Sequence, residues 1–249
     1  MPLKTIPLSG WIEKPRWIRR PDATGFIRVR WQKLRLAAFA RWDSWRLRNE
    51  PGEKIFLDCG SNFGQGALFF SRFFSPQDWK YILIEPNPAC HPKLRRLARQ
   101  RLSGRSQQGL LLPGAAWTQK GNRILYGADC GESSVGASLQ PSHNRAEGVR
   151  RGQRRLSVPT FDLSKILEKV GQKKKSGPAP CLVMKLDIEG SEIPVLSHLM
   201  KCGTLRLLQA LYVEWHSSFL PSGHREKVRR EEASLTRRLA QQTAVRDWV

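Results

Sequence analysis

Short apolar segments alternate with helical patterns from residue 55 onward in this 249-residue chain. Buried strands are predicted at IFLDC (55–59), YILIE (81–85), within LLLPGAAW (110–117), at CLVMKLDIEG (181–190) and at LQALYVEWH (208–216). Extra strands are predicted at 123–128 and 154–160, and a last one in TAVRDWV (243–249). Helical patterns occupy 66–74, 91–102, 161–170, 192–201 and 224–241. Strands separated by helices predict an α/β fold, with a mostly parallel central sheet and helices on both faces.

The first 54 residues lack a clear strand pattern and carry 13 basic and 5 acidic side chains. Within them, Trp31, Leu34, Ala38 and either Arg41 or Trp42 recur at helical spacing between arginines, which predicts a basic helix. Such a helix is expected to pack on the domain that follows. A membrane surface, an RNA contact and organelle targeting are the alternatives. We therefore divide the chain into a basic Trp/Arg-rich extension (1–54) and an α/β domain (55–249).

Several classes of protein are excluded by what the sequence lacks. No apolar run approaches the 18 or more residues of a membrane span, and no secretory signal is recognised at the start of the chain. The five cysteines lie far apart and form no CxxC pair, which argues against a disulfide framework or a zinc ribbon. We expect the cytoplasm or another reducing intracellular compartment, with organelle targeting left open.

The formal net charge is +22, and the excess is concentrated in particular segments. Residues 91–105 carry six basic and no acidic side chains, and residues 141–180 carry ten basic and three acidic ones. Clustered lysines and arginines favour a polyanionic partner such as RNA, a ribosomal particle or an anionic membrane face. A merely solvated basic surface is the alternative.

The first candidate ligand site follows the first strand, because ligands of parallel sheets bind beyond the carboxyl ends of the strands. Asp58 ends that strand, and Gly60, Asn62 and Gly64 form the turn after it. The spacing matches neither GxGxxG nor GxxxxGK[ST], so neither a dinucleotide nor a nucleoside triphosphate is indicated. An acid in this turn favours a cationic or hydroxyl-bearing ligand.

A second acid, Glu85, ends the next strand, 27 residues after Asp58. A carboxylate at this position can accept both hydroxyls of a ribose. A glycine turn with an acid, a ribose-binding acid and the lack of a phosphate-binding loop motif fit S-adenosylmethionine better than NAD. S-adenosylmethionine has a ribose and positive sulfonium and ammonium groups, but it has no phosphate.

The later strand ends carry the candidate catalytic groups. Asp187 and Glu189 follow one strand, and Glu214 and His216 end the next, so the four side chains are expected around one crevice. Asp187 or His216 is the candidate general base for removing a proton from an acceptor hydroxyl. Asp187, Glu189 and Glu214 would also suit a divalent cation, although nothing in the sequence requires one, and we predict no metal.

These segments together resemble the FkbM-type methyltransferases. The resemblance rests on FLDCGSNFGQGALFF (56–70), ILIEPNP (82–88), GAAW (114–117), VPTFDLSKIL (158–167), VMKLDIEGSEIPVL (183–196) and LYVEWH (211–216). It implies a class I Rossmann-like fold, S-adenosylmethionine as methyl donor and methylation of a hydroxyl oxygen. By position, Asp58, Gly60, Asn62 and Gly64 would form the donor loop, Glu85 would hold the ribose, and Ala115 and Ala116 would flank the adenine. Asp187 would lie beside the methyl group and the acceptor.

The acceptor is less constrained than the donor. The polar, glycine-rich segment 127–143 predicts a mobile loop over the acceptor side, with Ser133, Ser134 and His143 as possible substrate contacts beside Glu189. A small molecule, a sugar or an RNA ribose is the expected acceptor. The alternative is a catalytically silent methyltransferase-fold scaffold on RNA or a ribonucleoprotein particle.

Overall fold

The computed structural model describes residues 23–104, 108–128, 136–141, 155–172, 177–217 and 222–248. In the first and last helices, side chains are described from residues 30 and 223 onward.

Six α-helices and nine strands make up this part of the chain. The helices are α1 (Ala23–Leu47), α2 (Gln65–Phe70), α3 (His91–Gln100), α4 (Leu163–Gly171), α5 (Glu192–Lys201) and α6 (Ser222–Leu239). The strands are β1 (Lys54–Cys59), β2 (Trp79–Glu85), β3 (Leu110–Pro113), β4 (Ala115–Trp117), β5 (Gly121–Tyr126), β6 (Arg155–Asp162), β7 (Cys181–Leu186), β8 (Leu208–Val213) and β9 (Ala244–Asp247). Short 3₁₀ helices span Pro88–Cys90 and Thr204–Leu207.

The central sheet has six strands in the order β3-β2-β1-β7-β8-β9, and every neighbouring pair is parallel. Counted along the chain, its strands run 3-2-1-4-5-6, the order of a doubly wound Rossmann-like sheet. The direction of winding reverses between β1 and β7, which opens a crevice at their carboxyl ends. The prediction of a Rossmann-like α/β fold is confirmed.

Both faces of the sheet are covered by apolar side chains. On one face, Phe56 and Tyr81 pack with residues of α1, α2 and α3, and on the other, Ile55 and Leu57 pack with residues of α4, α5 and α6. Strands buried on both faces need continuous apolar runs, which is why β1, β2, β7 and β8 are recognisable in the sequence.

A second, three-stranded sheet has the order β4-β6-β5 and packs beside the first. The predicted strand within 110–117 is two strands, β3 in the central sheet and β4 in the second, separated at Gly114. A Cβ atom at Gly114 would lie 2.7 Å from the ring of Phe161 and 2.8 Å from the carbonyl oxygen of Pro159. Glycine therefore permits the close crossing at which the chain passes from one sheet to the other.

Helix α1 packs on the central sheet, as the sequence predicts, but through a different face. Leu36, Ala40 and Leu47 are buried, and so is Asp43, whose carboxylate accepts a hydrogen bond from the Tyr212 hydroxyl at 2.8 Å. The predicted stripe of Trp31, Leu34, Ala38 and Trp42 is exposed instead. No helix in the described ranges is long and apolar enough to cross a membrane.

Candidate active site

Gly60 lies where the end of β1 meets the end of β7. Its φ is +78°, and a Cβ atom there would lie 1.7 Å from the carbonyl oxygen of Asp187. The Asp187 amide in turn donates to the carbonyl oxygen of Cys59 at 3.1 Å. Only glycine allows this approach, so the turn after β1 is held directly against the segment that carries Asp187.

The Glu85 side chain closes the same turn from β2. One carboxylate oxygen accepts a hydrogen bond from the amide of Asn62 and the other from the amide of Asn87, both at 2.7 Å. Asn62 has a left-handed backbone, with φ of +47°. Burial raises the pKa of Glu85 to about 7, against the effect of these two hydrogen bonds. Each oxygen retains a lone pair that can accept a ligand hydroxyl.

A cavity of about 600 Å³, including solvent at its mouth, lies at these strand ends. Its lining comprises Gly60, Asn62, Glu85, Pro86, Cys90, Ala115, Ala116, Leu125, Gly136, Ala137, Leu139, Asp187, Ile188, Glu189 and Ser191. Three of these described residues are carboxylates and none is basic, although the chain as a whole carries a charge of +22. The described cavity wall is thus acidic in composition, in contrast to the basic composition of the chain.

Lys185 lies next to this cavity lining and is buried in the sheet. Its ammonium is 3.2 Å from Asp58 and 3.0 Å from Asp187, and it donates to the Gly60 carbonyl oxygen at 2.8 Å. Burial lowers the pKa of Lys185, but the two carboxylates outweigh it and raise the pKa above its usual value. Burial also raises the pKa of Asp58, against the effect of Lys185. This ion-paired triad joins the ends of β1 and β7.

Two residues of the predicted donor loop, Asp58 and Gly64, do not line the cavity. Asp58 is fully buried beside Lys185. Gly64 precedes α2 with φ of +90°, and a Cβ atom there would lie 2.2 Å from Leu97. The structure places Gly60, Asn62, Glu85, Ala115 and Ala116 in the cavity wall.

The His216 ring lies among the carboxylates beyond β7 and β8. Its Nδ1 is 2.9 Å from Glu192, and its Nε2 is 3.4 Å from Glu189, 3.6 Å from Asp187 and 4.0 Å from Glu214. Burial lowers the pKa of His216, whereas the surrounding carboxylates, Glu192 first, raise it to about 10. The carboxylates therefore favour the protonated form of the ring.

The carboxylates of this cluster differ in their affinity for protons. Burial raises the pKa of Glu189 to about 8 and that of Glu214 to about 7. Burial has the same effect on Asp187, but Lys185 and His216 outweigh it and lower the pKa of Asp187. Oxygens of Asp187 and Glu214 and a ring nitrogen of His216 lie within 4.8 Å of one another, a grouping that could hold a metal ion only with the His216 ring deprotonated.

Two further residues of the site, Trp248 and Glu192, were not predicted from the sequence. The Trp248 indole donates to Asp187 at 3.2 Å from beyond β9. Glu192, in the first turn of α5, accepts from the backbone amides of Ile188 and Gly190 and so shapes the turn that carries Glu189. The sequence could have indicated Glu192, because it ends the segment DIEGSE (187–192) that also carries Asp187 and Glu189. No local sequence pattern indicates Trp248.

The predicted substrate contacts Ser133, Ser134 and His143 lie outside the described residues. The described part of the same segment does reach the site. Gly136, Ala137 and Leu139 line the cavity, and the Ser138 hydroxyl donates to the carbonyl oxygen of Glu189.

The doubly wound parallel sheet and the cavity at its point of reversal define a Rossmann-like α/β protein with a ligand site at the strand ends. The sequence model of the methyltransferase FkbM domain matches residues 58–239, and the chain belongs to this family of methyltransferases. Among solved structures, the chain is similar to a methyltransferase FkbM from Methylobacillus flagellatus KT, with 16% identity and a TM-score of 0.33. The match covers 61% of this chain and 30% of that one. No curated protein matches the sequence.

Proposed function

We propose that this protein is an S-adenosylmethionine-dependent O-methyltransferase that methylates a hydroxyl of a small molecule, a sugar or an RNA ribose. The observation that carries the proposal is the acidic cavity at the strand ends of a strongly basic chain. A cationic donor without phosphate suits three carboxylates and a described lining with no basic side chain.

The cavity offers groups for each part of the donor. The Glu85 carboxylate would accept the ribose hydroxyls, and the small, apolar wall at Ala115 and Ala116 would flank the adenine. Asp187 and Glu189 would face the positive end of the molecule. When bound, S-adenosylmethionine supplies an electrophilic methyl group on a sulfonium.

The protein would also place the acceptor hydroxyl and receive its proton. Burial lowers the pKa of His216, but the surrounding carboxylates, Glu192 first, outweigh it and raise the pKa to about 10, which favours a carboxylate over this ring as the proton acceptor. The base is then a carboxylate of the cavity wall. Asp187 stays ionised near neutral pH and can accept the proton, whereas Glu189, whose pKa is about 8, becomes an available base only at higher pH.

Calorimetric titration with S-adenosylmethionine tests the donor site. Glu85→Ala removes two potential hydrogen bonds to a carboxylate and is expected to weaken binding at least about tenfold. Glu226→Ala, which removes an exposed carboxylate on α6, is the matched control and should leave binding unchanged. Because Glu85 also holds two backbone amides, thermal unfolding of each variant checks the fold, and Glu85→Gln retains one acceptor oxygen. Equal affinity in wild type and a folded Glu85→Ala variant would refute the ribose assignment.

Methyl transfer from labelled donor to a panel of sugars, RNA and small hydroxyl compounds tests the reaction. Asp187→Asn and Glu189→Gln are expected to reduce turnover far more than donor affinity. If both variants methylate at the wild-type rate, neither carboxylate takes part. The alternative of a silent scaffold on RNA rests on the charge of the chain alone, and methylation of any acceptor on the panel would overturn it.

A further inference from the structure

Helix α1 has two apolar faces, and only one of them is covered by the described part of the chain. The inner face packs on the sheet through Leu36, Ala40 and Leu47. The outer stripe consists of Trp31, Leu34, Ala38, Trp42 and Trp45. At about 100° per residue, these five side chains fall within an arc of about 80° on the opposite side of the helix.

The outer stripe is unusually large and aromatic for a solvent-facing surface. Trp31 is 63% exposed, Leu34 56%, Trp42 55% and Trp45 52%. The rings of Trp42 and Trp45 lie 5.1 Å apart and extend one continuous apolar patch. Over about 14 residues, the stripe is about 20 Å long. Exposed patches of this kind mark interaction sites.

The surface around the stripe is positively charged. Arg35 borders one edge, and Arg41 and Arg48 border the other, all with exposed side chains. The single acidic residue between positions 30 and 47, Asp43, is fully buried and ion-paired with Arg46. The outward face of α1 therefore combines tryptophan, leucine and arginine without an opposing carboxylate.

We propose that the outer stripe docks α1 flat on an anionic lipid surface. Tryptophan prefers the boundary between acyl chains and headgroups, and arginine reaches the phosphates of the headgroups from the same depth. Binding of single-stranded RNA instead uses aromatic rings as separate platforms for bases. Here Trp42 and Trp45 pack on each other, and Leu34 and Ala38 fill the stripe between the rings, which favours a lipid interface.

Flotation of the full chain with vesicles tests this docking. One set of vesicles is phosphatidylcholine alone and the other contains about 30% phosphatidylserine, comparable to an anionic cytoplasmic leaflet. Trp31→Ala/Trp42→Ala/Trp45→Ala removes the aromatic rings, and Leu110→Ala/Ile124→Ala removes exposed apolar side chains elsewhere as a control. Thermal unfolding confirms that each variant is folded.

A second pair of variants tests how much the arginines beside the stripe contribute to vesicle binding. Arg35→Gln/Arg41→Gln/Arg48→Gln neutralises the border of the stripe, whereas Arg95→Gln/Arg96→Gln/Arg99→Gln removes the same charge from the exposed face of α3.

Wild type should bind the anionic vesicles and lose binding as salt is raised. The triple tryptophan variant should bind at least about tenfold more weakly, and the α1 arginine variant about 100-fold more weakly. Both controls should stay close to wild type. Equal losses in the two arginine variants would show that only net charge matters and would overturn the proposal. If the wild type does not bind vesicles but binds a uridine homopolymer, and the tryptophan variant loses that binding, the proposal is overturned in favour of RNA.

Discussion

The buried Lys185 beside the cavity allows a quantitative test of how the candidate site is held together. Lys185→Met keeps an unbranched apolar stem of similar length but removes the ammonium from between Asp58 and Asp187. Those two contacts are 3.2 and 3.0 Å long, and the Lys185 side chain is 2% exposed. Loss of one partner from a buried ion pair costs about 3–5 kcal/mol, because the remaining charge is left without compensation.

The cost should depend on pH in a defined direction. Asp187 is 21% exposed and keeps some hydration, whereas Asp58 is fully buried. Without Lys185, the uncompensated Asp58 is relieved by protonation, so its folded pKa rises further above the unfolded value. A folded state that binds more protons than the unfolded state loses stability as pH rises. The full loss of about 3–5 kcal/mol is therefore expected near pH 8 and a smaller loss near pH 5.

Urea unfolding followed by circular dichroism at the two pH values measures this loss. Lys165→Met is the matched control, because Lys165 pairs with Glu168 at 2.9 Å on an exposed surface, where ion pairs contribute little. Asp58→Asn added to Lys185→Met should recover stability at pH 8 by removing the uncompensated charge. Equal unfolding midpoints for Lys185→Met and Lys165→Met at pH 8, or a larger loss at pH 5, would refute the reasoning.

Two other predictions follow from the geometry and charge of the cavity. Gly60→Ala should abolish donor binding and destabilise the fold, because its Cβ atom would lie 1.7 Å from the Asp187 carbonyl oxygen. Gly177→Ala is the control, because a Cβ atom there would have nothing within 4 Å. This control should change neither the donor affinity measured by calorimetry nor the thermal unfolding temperature. Donor affinity should rise from pH 6 to pH 9, because Glu189 of the cavity wall and Glu214 near it, with pKa values of about 8 and 7, become ionised and attract a cation. A one-unit fall in either pKa on binding gives about tenfold tighter binding over that range, and an affinity that falls with rising pH in calorimetry would contradict it.

The four inner strands of the central sheet, β1, β2, β7 and β8, were predictable because they are buried on both faces and end in acids or glycines. The sequence placed Glu85 and Asp187 at the carboxyl ends of two strands, and in the structure these strands flank β1 and the two residues line one cavity. It could not place Asp58 beside Lys185, because that pairing depends on the register of β1 and β7, in which the two residues are direct partners. β1 and β7 are far apart in the chain, so their register depends on how the two strands meet in the folded sheet.

The face of α1 that packs was not predictable for a different reason. Both sides of the helix are apolar, so periodicity alone does not distinguish them. The Asp43–Tyr212 hydrogen bond and the small Ala40 decide the choice in the structure, and both depend on what the sheet presents. Trp248 reaches Asp187 from the end of the chain, a contact between residues 61 positions apart that no local spacing indicates.

The acidic composition of the cavity wall in a basic molecule has a kinetic consequence for a cationic ligand. A cationic donor that approaches a molecule of net charge +22 is repelled at long range and attracted only within the cavity. At physiological ionic strength, the repulsion extends about 8 Å from the surface and shrinks as salt is added. Salt should therefore accelerate donor association and also shorten its residence. A nucleotide that carries phosphates should instead be attracted by the basic surface and repelled by the carboxylates of the cavity.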